Sequence, residues 1–390
     1  MQIKKEISEL EEELIELRRD FHKHPELGWQ ETRTAEVIAD YLRDLGLKVK
    51  EEVAKTGVVG LLEGEKPGKT LLLRADMDAV PVEEQNEVSY KSQNEGVMHG
   101  CGHDGHMAML LVAAKILAGK KDSISGNIKF VFQPNEETEG AKYMIDEGIM
   151  EDPEVDAALG IHLWSPISSG KIGIASEAVM GGLCEFKIDL TGEGGHTSAP
   201  HMSRDPIMTG TTIINKAQQI ETREIDPMKA TTLVFGQFQA GNSTNIIPET
   251  AQLKGTIRYL YQGGENSEER PKSRLERIVE GVCAVDNIDY EISYPAITPP
   301  VYNDPDLTAK VRETAAEVVG ENNLVRYRCL AGEDFGIFTS HVPSVFFFVG
   351  TGNPEKGTDY PHHHARFDLD EDVLKYGVEM HVKSALKFLQ

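Results

Sequence analysis

Three short apolar segments constrain the fold of this chain more than any other feature of its sequence. Residues 69–75, 127–133 and 156–161 each have the length and nearly continuous apolar character of a buried parallel strand. Helical patterns separate them, which predicts an α/β fold with a mixed, mostly parallel sheet. Because ligands of open α/β sheets bind beyond the carboxyl ends of the strands, we expect one site at that edge. Side chains of types that can bind metal lie within four residues of the ends of the three segments: Asp76, Asp78, Glu136, Glu137 and His162. Of these, Asp76 and Asp78 are expected to orient ligand imidazoles rather than to bind metal themselves.

Residues 98–110, MHGCGHDGHMAML, add a second cluster of such side chains at the start of an apolar helical pattern. Thiolate, imidazole and carboxylate groups bind borderline divalent metals such as zinc, and glycines let the backbone fold tightly around an ion. A buried structural cysteine beside helix-capping residues is the alternative, but the three strand ends favour a metal site. His106 is expected to be structural, on the first helical turn. Residues 360–368, YPHHHARFD, contain three consecutive histidines, and we expect one to face the site.

The composition limits the partners and the compartment of the protein. With 40 basic and 64 acidic residues the formal net charge is −24, which argues against nucleic acid and anionic membrane surfaces as partners. No segment is long and apolar enough to span a bilayer, and the charged amphipathic N-terminus lacks the apolar core of a secretory signal. The four cysteines are widely spaced, which indicates no disulfide framework and predicts a reducing, cytoplasmic location.

The order of the predicted elements changes near residue 183, which indicates a second domain. Residues 183–295 follow the order strand, helix, strand, strand, helix, strand, with the second helix predicted at 268–282; this is the ferredoxin-like βαββαβ unit. Because the C-terminal histidines must meet ligands near residue 100, we expect this unit to be inserted into a larger catalytic domain. That domain is formed by residues 1–182 and 296–390, and its first helix is predicted at 4–22.

Motifs along the whole chain, in a fixed order, resemble those of a known enzyme family. They are similar to the motifs of the aminoacylase and carboxypeptidase-G-like metallopeptidases, and more narrowly to those of bacterial and plant amidohydrolases of N-acyl amino acids and auxin conjugates. Single motifs of this kind are weak, but their joint presence is highly specific. Besides the two segments above, the matching motifs are RRDFHKHPELGWQE at 18–31, LRADMDAVP at 73–81, FQPNEETEGA at 132–141, GIHLW at 160–164, GEGGHTSAPH at 192–201, NIIPETAQLKGTIR at 245–258 and AGEDF at 331–335.

The resemblance implies a hydrolase with two divalent metal ions per subunit, of zinc, manganese, cobalt or nickel. It places Cys101 at the position that bridges the ions, where most of the wider family has aspartate. His363 is chosen among the C-terminal histidines because the family has a histidine four residues before Phe367; His362 or His364 would be the ligand if that loop were shifted. The other implied ligands supply imidazole or carboxylate groups: His103, Glu137, His162 and His363.

The same resemblance implies which residues perform the reaction. Glu136 takes the position of the general base. His196, in the inserted domain, is implied to stabilise the oxyanion, either in its own subunit or in that of a partner, because the family dimerises through this lid. Asn245 and Arg258 match positions that bind the carboxylate side of the substrate, a task that suits the planar guanidinium of arginine.

Together these residues predict hydrolysis of the amide bond of an N-acyl amino acid or a short peptide conjugate by a homodimer. A dipeptidase or carboxypeptidase on the same scaffold is the enzymatic alternative, and the cysteine at the bridging position favours the amidohydrolase. A catalytically inactive metal-binding scaffold protein is the alternative from another class, against which the presence of Glu136 argues. No GxGxxG motif follows the first strand, so the sequence does not predict a dehydrogenase.

Overall fold

In the computed structural model, which describes residues 2–390, the chain divides into two units. Unit 1 contains residues 2–177, 302–328 and 337–390, and unit 2 contains residues 178–301 and 329–336. The segment 183–295, expected as an inserted domain, therefore lies within unit 2. None of the helices formed by residues 2–390 combines the length and the apolar character needed to cross a bilayer.

Helices and strands alternate along the chain. The α-helices are α1 (Gln2–Glu9), α2 (Glu11–Lys23), α3 (Thr32–Asp44), α4 (His103–Ala118), α5 (Ala141–Asp146), α6 (Pro206–Gln219), α7 (Pro271–Asp286), α8 (Pro305–Val319), α9 (Gly336–Thr339) and α10 (Leu374–Phe388). The strands are β1 (Lys48–Val53), β2 (Gly57–Glu63), β3 (Lys66–Asp76), β4 (Ser125–Gln133), β5 (Ala157–Ser168), β6 (Ile172–Gly173), β7 (Glu177–Met180), β8 (Gly182–Thr191), β9 (Gly195–His196), β10 (Thr231–Ala240), β11 (Ile246–Ile247), β12 (Thr250–Tyr259), β13 (Asp289–Ser293), β14 (Ile297–Thr298), β15 (Val301–Asn303), β16 (Leu324–Val325) and β17 (Ser344–Gly352).

Unit 1 is built around an eight-stranded mixed sheet with the strand order β1-β2-β4-β3-β5-β17-β6-β16. The central strands β4, β3, β5 and β17 run parallel, whereas the pairs β1–β2, β2–β4 and β17–β6 are antiparallel. The predicted mixed, mostly parallel sheet is therefore confirmed. Arg74 pairs with both Val131 and Gly160, so Asp76 and His162, each two residues further on, reach the same level of the sheet.

Helix α4 is apolar on all sides, and 14 of its 16 residues are buried. Such a helix is stable where other elements cover every face, and α4 packs against strand β3 and against helices α2 and α10. Strand β17, SVFFFVGTG, is likewise buried along its whole length, as expected for a parallel strand in the middle of a covered sheet. This packing fixes the first turn of α4, which begins at His103.

Unit 2 contains a separate antiparallel sheet with the strand order β10-β12-β8-β13. Its main elements follow one another as β8, α6, β10, β12, α7 and β13, which confirms the predicted ferredoxin-like pattern. Buried and accessible residues alternate along β8, so one face of the sheet is covered. Apolar residues of that face, of α6 and of α7 form the core of the unit.

Two predicted helices differ from those in the structure. The helix predicted at 4–22 is divided into α1 and α2 by Leu10, whose φ of −109° lies outside the helical region, although no glycine or proline interrupts the sequence there. The helix predicted to begin at residue 268 begins at Pro271 instead. Proline favours the first helical position because its φ is fixed and its missing N–H is not needed there.

Candidate metal centre

The chain just before helix α4 carries two of the predicted ligands, Cys101 and His103. Gly102 lies between them with a φ of 92°, a left-handed conformation that glycine adopts without steric cost. The resulting tight turn brings the two side chains to one place, where Cys101 is 9% exposed and His103 is fully buried. The glycine-rich spacing of this segment thus produces the compact turn that was expected from it.

Cys101, His103 and His162 bring their donor atoms within 4.8 Å of one another. His162 comes from strand β5, and its Nε2 lies 3.6 Å from the Sγ of Cys101. All three side chains are buried. One thiolate and two imidazoles at this spacing form a donor set that suits a borderline divalent metal.

A second group of donors shares Cys101 with the first. Cys101, Glu137 and His363 also place their donor atoms within 4.8 Å of one another. The Oε1 of Glu137 lies 3.0 Å from the Nε2 of His363. The N–H of His363 donates to the carbonyl oxygen of Gly100 at 2.8 Å, which ties the C-terminal loop to the turn before α4. The structure therefore brings all five predicted ligands together.

The two neighbouring histidines of the C-terminal loop make other contacts. The Nε2 of His362 donates to the carbonyl oxygen of Leu163 at 3.0 Å. The ring of His364 stacks on that of Tyr360, with the centroids 4.7 Å apart. Among residues 2–390, His363 alone of the three belongs to a group of potential metal donors. The geometry thus supports the loop register that was chosen from the sequence.

Hydrogen bonds orient the imidazoles of His103 and His162. The Nδ1 of His103 donates to the carbonyl oxygen of Asp78 at 2.8 Å, and the Nδ1 of His162 donates to that of Leu163 at 2.8 Å. A carbonyl oxygen accepts but cannot donate, so both rings carry a proton on Nδ1, which leaves Nε2 to bind an ion. The Nε2 of His103 is buried and has no hydrogen-bond partner within residues 2–390, as a metal ligand requires.

Carboxylates give this site a negative potential. Burial lowers the pKa of His103, but the carboxylates of Asp76 and Asp78 outweigh burial and raise that pKa to about 10. The Oε2 of Glu136 lies 4.0 Å from the Nε2 of His103, and these two residues form a further donor group with Glu137. The negative charge of these carboxylates, which favours a second proton on His103, equally favours a divalent cation bound to that imidazole instead of the proton. The donor types, the unpartnered Nε2 and the charge therefore fit a metal centre.

Glu31 is a buried residue beside the site to which the sequence assigns no role. Its Oε1 accepts the backbone N–H of Asn135 at 2.9 Å, and its Oε2 accepts the hydroxyl of Thr56 at 2.7 Å. Asn135 has a φ of 54° and directly precedes Glu136 and Glu137, so Glu31 holds the turn that carries them. Glu31 belongs to the motif at 18–31, but its contact spans 104 residues and leaves no local signal in the sequence.

The predicted lid residues lie in unit 2, and the structure does not bring all three together. His196 lies in β9, and next to it the carbonyl oxygen of Asn245 accepts the N–H of Thr197 at 3.2 Å. Strand β12 begins at Thr250, close to the same loops, because Glu249 accepts a hydrogen bond from Gly192. Arg258 lies near the other end of β12, roughly 25 Å along the strand from its first residue.

Known proteins resemble this chain in sequence and in structure. Residues 72–387 match peptidase family M20/M25/M40. The chain is 41% identical to thermostable carboxypeptidase 2 of Saccharolobus solfataricus, over 99% of the chain and 98% of that protein. It is 38% identical to an N-acyl-L-amino acid amidohydrolase of Geobacillus stearothermophilus, over 77% of the chain and 81% of that protein.

A solved structure extends this likeness to the fold. The crystal structure of a dinuclear metal binding peptidase from the M20 family, from Bacillus subtilis, matches the chain with a TM-score of 0.83 at 28% identity, over 98% of this chain and 99% of that one. These matches confirm the family that the motifs indicate. The chain belongs to peptidase family M20/M25/M40 and is a metal-dependent hydrolase of that family.

Proposed function

We propose that this enzyme hydrolyses the amide bond of N-acyl amino acids or short peptide conjugates with two divalent metal ions bound per subunit. The observation that carries the proposal is the meeting of five donor side chains, from four separate parts of the chain, beside Glu136. The likeness to the Geobacillus N-acyl-L-amino acid amidohydrolase supports the substrate class. The likeness to the dinuclear metal binding peptidase of Bacillus supports the pair of ions.

Cys101 would hold both ions, because it belongs to two groups of donors. His103 and His162 complete one group, and Glu137 and His363 complete the other. A mixture of thiolate, imidazole and carboxylate donors accepts zinc, manganese, cobalt or nickel. Ions bound here would polarise the scissile carbonyl group and lower the pKa of water.

Glu136 is the residue that moves the proton in this proposal. Its carboxylate takes a proton from the attacking water and later delivers it to the nitrogen of the leaving amine. Glu136 and Glu137 are consecutive in a short turn, so one can act as a base while the other binds metal. Because Glu31 binds the backbone N–H of Asn135, it helps to fix the turn from which the side chain of Glu136 extends.

His196 would stabilise the oxyanion of the tetrahedral intermediate. The backbone N–H of Ser198 donates to its Nδ1 at 3.1 Å, so neutral His196 carries its proton on Nε2 and can donate it to an oxyanion. Asn245 lies next to His196, whereas Arg258, which would bind the substrate carboxylate, lies at the far end of β12. A small substrate could contact all three if His196 and Asn245 came from one subunit and Arg258 from the other.

A homodimer formed through unit 2 would supply both sets of residues. Strand β10 is at the edge of its sheet, and an edge strand can pair with a strand of another chain. Apolar side chains in this strand and in α6 are unusually accessible: Val234 is 56%, Phe238 37% and Met208 63% exposed. Exposed apolar side chains of this kind favour association with a second copy.

Carboxypeptidase activity is the alternative function, and the 41% identity to the Saccharolobus enzyme favours it. The two functions differ in the class of substrate that the enzyme hydrolyses. Both reactions cleave an amide bond. The decisive assay compares kcat/KM for N-acetyl and N-benzoyl amino acids with kcat/KM for dipeptides and longer peptides, each with zinc, manganese, cobalt and nickel. Higher values for the N-acyl amino acids support the amidohydrolase. Higher values for the peptides would replace it with a peptidase.

Replacement of Glu136 tests the proposed mechanism independently of the substrate class. Glu136→Gln should lower turnover by about 10²–10⁴-fold or more, because the general base is lost. The metal content, measured by elemental analysis, should stay at the wild-type level, because Glu136 is not needed as a ligand. Glu147→Gln, at an exposed position just after α5, is the matched control and should retain turnover. Substantial turnover in Glu136→Gln would refute the assigned role.

Mixing of two inactive variants tests the role of the lid. Glu136→Gln subunits and His196→Ala subunits should regain part of the activity after exchange, because one site of a mixed dimer has both an intact base and an intact oxyanion donor. Tagged pull-down confirms that exchange has occurred. Exchange with no regained activity would contradict a contribution of His196 across the dimer.

A further inference from the structure

Histidine side chains bind both the backbone N–H and the backbone carbonyl oxygen of Leu163, the residue directly after the proposed ligand His162. The backbone N–H of Leu163 donates to the Nε2 of His106 at 2.8 Å. Its carbonyl oxygen accepts from the Nδ1 of His162 at 2.8 Å and from the Nε2 of His362 at 3.0 Å. Three imidazoles thus converge on the backbone of one residue beside the proposed metal centre. One of them, His162, needs a defined orientation to bind an ion.

His106 is itself held by a buried pair of charged residues. Its Nδ1 donates to the Oδ1 of Asp76 at 2.6 Å, and the Oδ2 of Asp76 accepts from the Nη1 of Arg74 at 2.6 Å. His106, Asp76 and Arg74 are at most 1% exposed. A continuous row of hydrogen bonds therefore runs from Arg74 in β3 to the backbone of β5.

The direction of these hydrogen bonds fixes where the protons lie. A backbone N–H can only donate, so the Nε2 of His106 accepts from Leu163 and carries no proton. The proton of neutral His106 is then on Nδ1, where it bonds to Asp76. Both ring nitrogens of His106 are occupied in this way, in contrast to His103, whose Nε2 has no hydrogen-bond partner within residues 2–390.

These contacts explain why His106 is unsuited to bind metal, although it lies in a group of possible donors. The donor atoms of Asp76, His103 and His106 are within 4.8 Å of one another. To bind an ion through Nε2, His106 would have to give up its hydrogen bond with Leu163. That loss would leave a buried backbone N–H without an acceptor, which is unfavourable.

We propose that His106 and Asp76 are positioning residues of the metal centre that act through the backbone of Leu163. His106 holds the N–H of Leu163, which fixes the peptide between His162 and Leu163, and the carbonyl oxygen of Leu163 accepts the Nδ1–H of His162. With its proton held on Nδ1, His162 presents Nε2 toward the Sγ of Cys101, 3.6 Å away. This inference rests on the metal centre of the proposed function.

Two substitutions of His106 separate the two hydrogen bonds. In His106→Gln the side-chain oxygen reaches the position of Nε2 and can still accept from Leu163. In His106→Asn the amide group reaches the position of Nδ1, so it can donate to Asp76 but leaves the N–H of Leu163 unpaired. The measurement is the affinity for cobalt(II), by competition with a chelator, together with the thiolate–cobalt absorption of Cys101.

The expected result is that His106→Asn loses about 10–100-fold in affinity for cobalt(II), the usual effect of losing a residue that orients a ligand. His106→Gln should regain most of that affinity. Equal losses in the two variants, or wild-type affinity in both, would overturn the proposed route through Leu163. A wild-type protein that binds no cobalt(II) would instead refute the proposed function, so the two failures are distinguishable.

The metal-free wild-type protein provides a second measurement that does not depend on the folding of a variant. Long-range ¹H–¹⁵N correlation spectra of the imidazoles report which ring nitrogen is protonated. We expect Nδ1–H for both His106 and His162 at neutral or slightly alkaline pH. Protonation of His162 on Nε2 alone would overturn the inference, because the carbonyl oxygen of Leu163 would then not control this ring.

Discussion

Removal of the Arg18 guanidinium should be among the most damaging single changes in unit 1. Arg18 is fully buried in helix α2 and donates to carboxylates from three separate places: Asp104 at 2.9 Å, Asp368 at 2.6 Å and Glu371 at 3.2 Å. Arg18→Met puts an unbranched apolar side chain in its place and removes the guanidinium from all three carboxylates, although Glu371 keeps its contact with Arg19 and Asp104 its contact with His22. Breaking a buried ion pair from one side destabilises a protein by about 3–5 kcal/mol.

Arg19→Met is the matched control, because the adjacent residue has a similar contact in a different environment. Arg19 also pairs with Glu371, at 2.6 Å, but its side chain is 41% exposed. Water screens such a pair, so its loss should destabilise the protein by about 0–1 kcal/mol. The two variants therefore differ in burial much more than in the type of contact that is removed.

Thermal unfolding followed by circular dichroism distinguishes the two variants. A domain of this size shifts its Tm by roughly 2–4 °C per kcal/mol. Arg18→Met should thus lower the Tm of unit 1 by roughly 6–20 °C, and Arg19→Met by at most roughly 4 °C. Similar shifts in the two variants would refute the reasoning, since burial would then not decide the effect of a lost ion pair.

The pH dependence of this difference follows from the pKa of Asp104. Burial favours the protonated form, but Arg18 and His22 outweigh burial and hold the pKa of Asp104 well below its ordinary value. A lowered pKa in the folded state stabilises the protein above the unfolded value of about 4, and this stabilisation is lost as the pH falls further. The Tm difference between wild type and Arg18→Met should therefore be largest near neutral pH and shrink below pH ~4.

Two further substitutions test the surroundings of the metal centre. Gly28→Ala should destabilise unit 1 by about 1–3 kcal/mol and lower kcat, because the added Cβ would lie 2.1 Å from the Oδ1 of Asn135 and would displace the turn of the proposed base. Gly119→Ala is the control, since its Cβ would meet no atom closer than 3.6 Å, and it should change neither stability nor kcat. Equal urea midpoints for Gly28→Ala and Gly119→Ala would refute the predicted steric clash. His363→Ala should lower the zinc affinity measured by chelator competition, whereas His364→Ala should leave it nearly unchanged. A larger loss in His364→Ala would show that the predicted loop register is wrong.

The sheet could be predicted from the sequence because it depends on local apolar patterns, whereas the set of five donors was implied by the family resemblance. A continuous apolar segment identifies β3 or β4 by itself, and the side chain after its last residue must lie at the edge of the sheet. His363 was chosen because the family has a histidine four residues before Phe367, and in the structure its Nε2 lies 3.0 Å from the Oε1 of Glu137. The roles of these residues in metal binding and catalysis stay predictions.

Contacts between distant segments could not be predicted in the same way. Arg18 and Asp104 are 86 residues apart, and nothing near either residue indicates that an arginine of the first long helix neutralises a carboxylate beside His103. The contact of Glu31 with Asn135 is equally remote. The group that donates to His106 is the backbone N–H of Leu163, and because every residue except proline has such a group, the residue type does not reveal the contact. Such contacts depend on how elements pack in three dimensions, and a single sequence does not record this.

The place of β17 in the sheet has a consequence for synthesis of the chain. This strand lies between β5 and β6, although all of residues 178–301 of unit 2 are made before it. On the ribosome, one edge of β5 must therefore remain unpaired until Ser344–Gly352 has left the exit tunnel, and His363 emerges later still. An unpaired parallel strand invites aggregation, so we expect nascent chains to depend on chaperones in this interval. Limited proteolysis of ribosome-stalled chains that end before and after β17 would show whether unit 2 becomes resistant first.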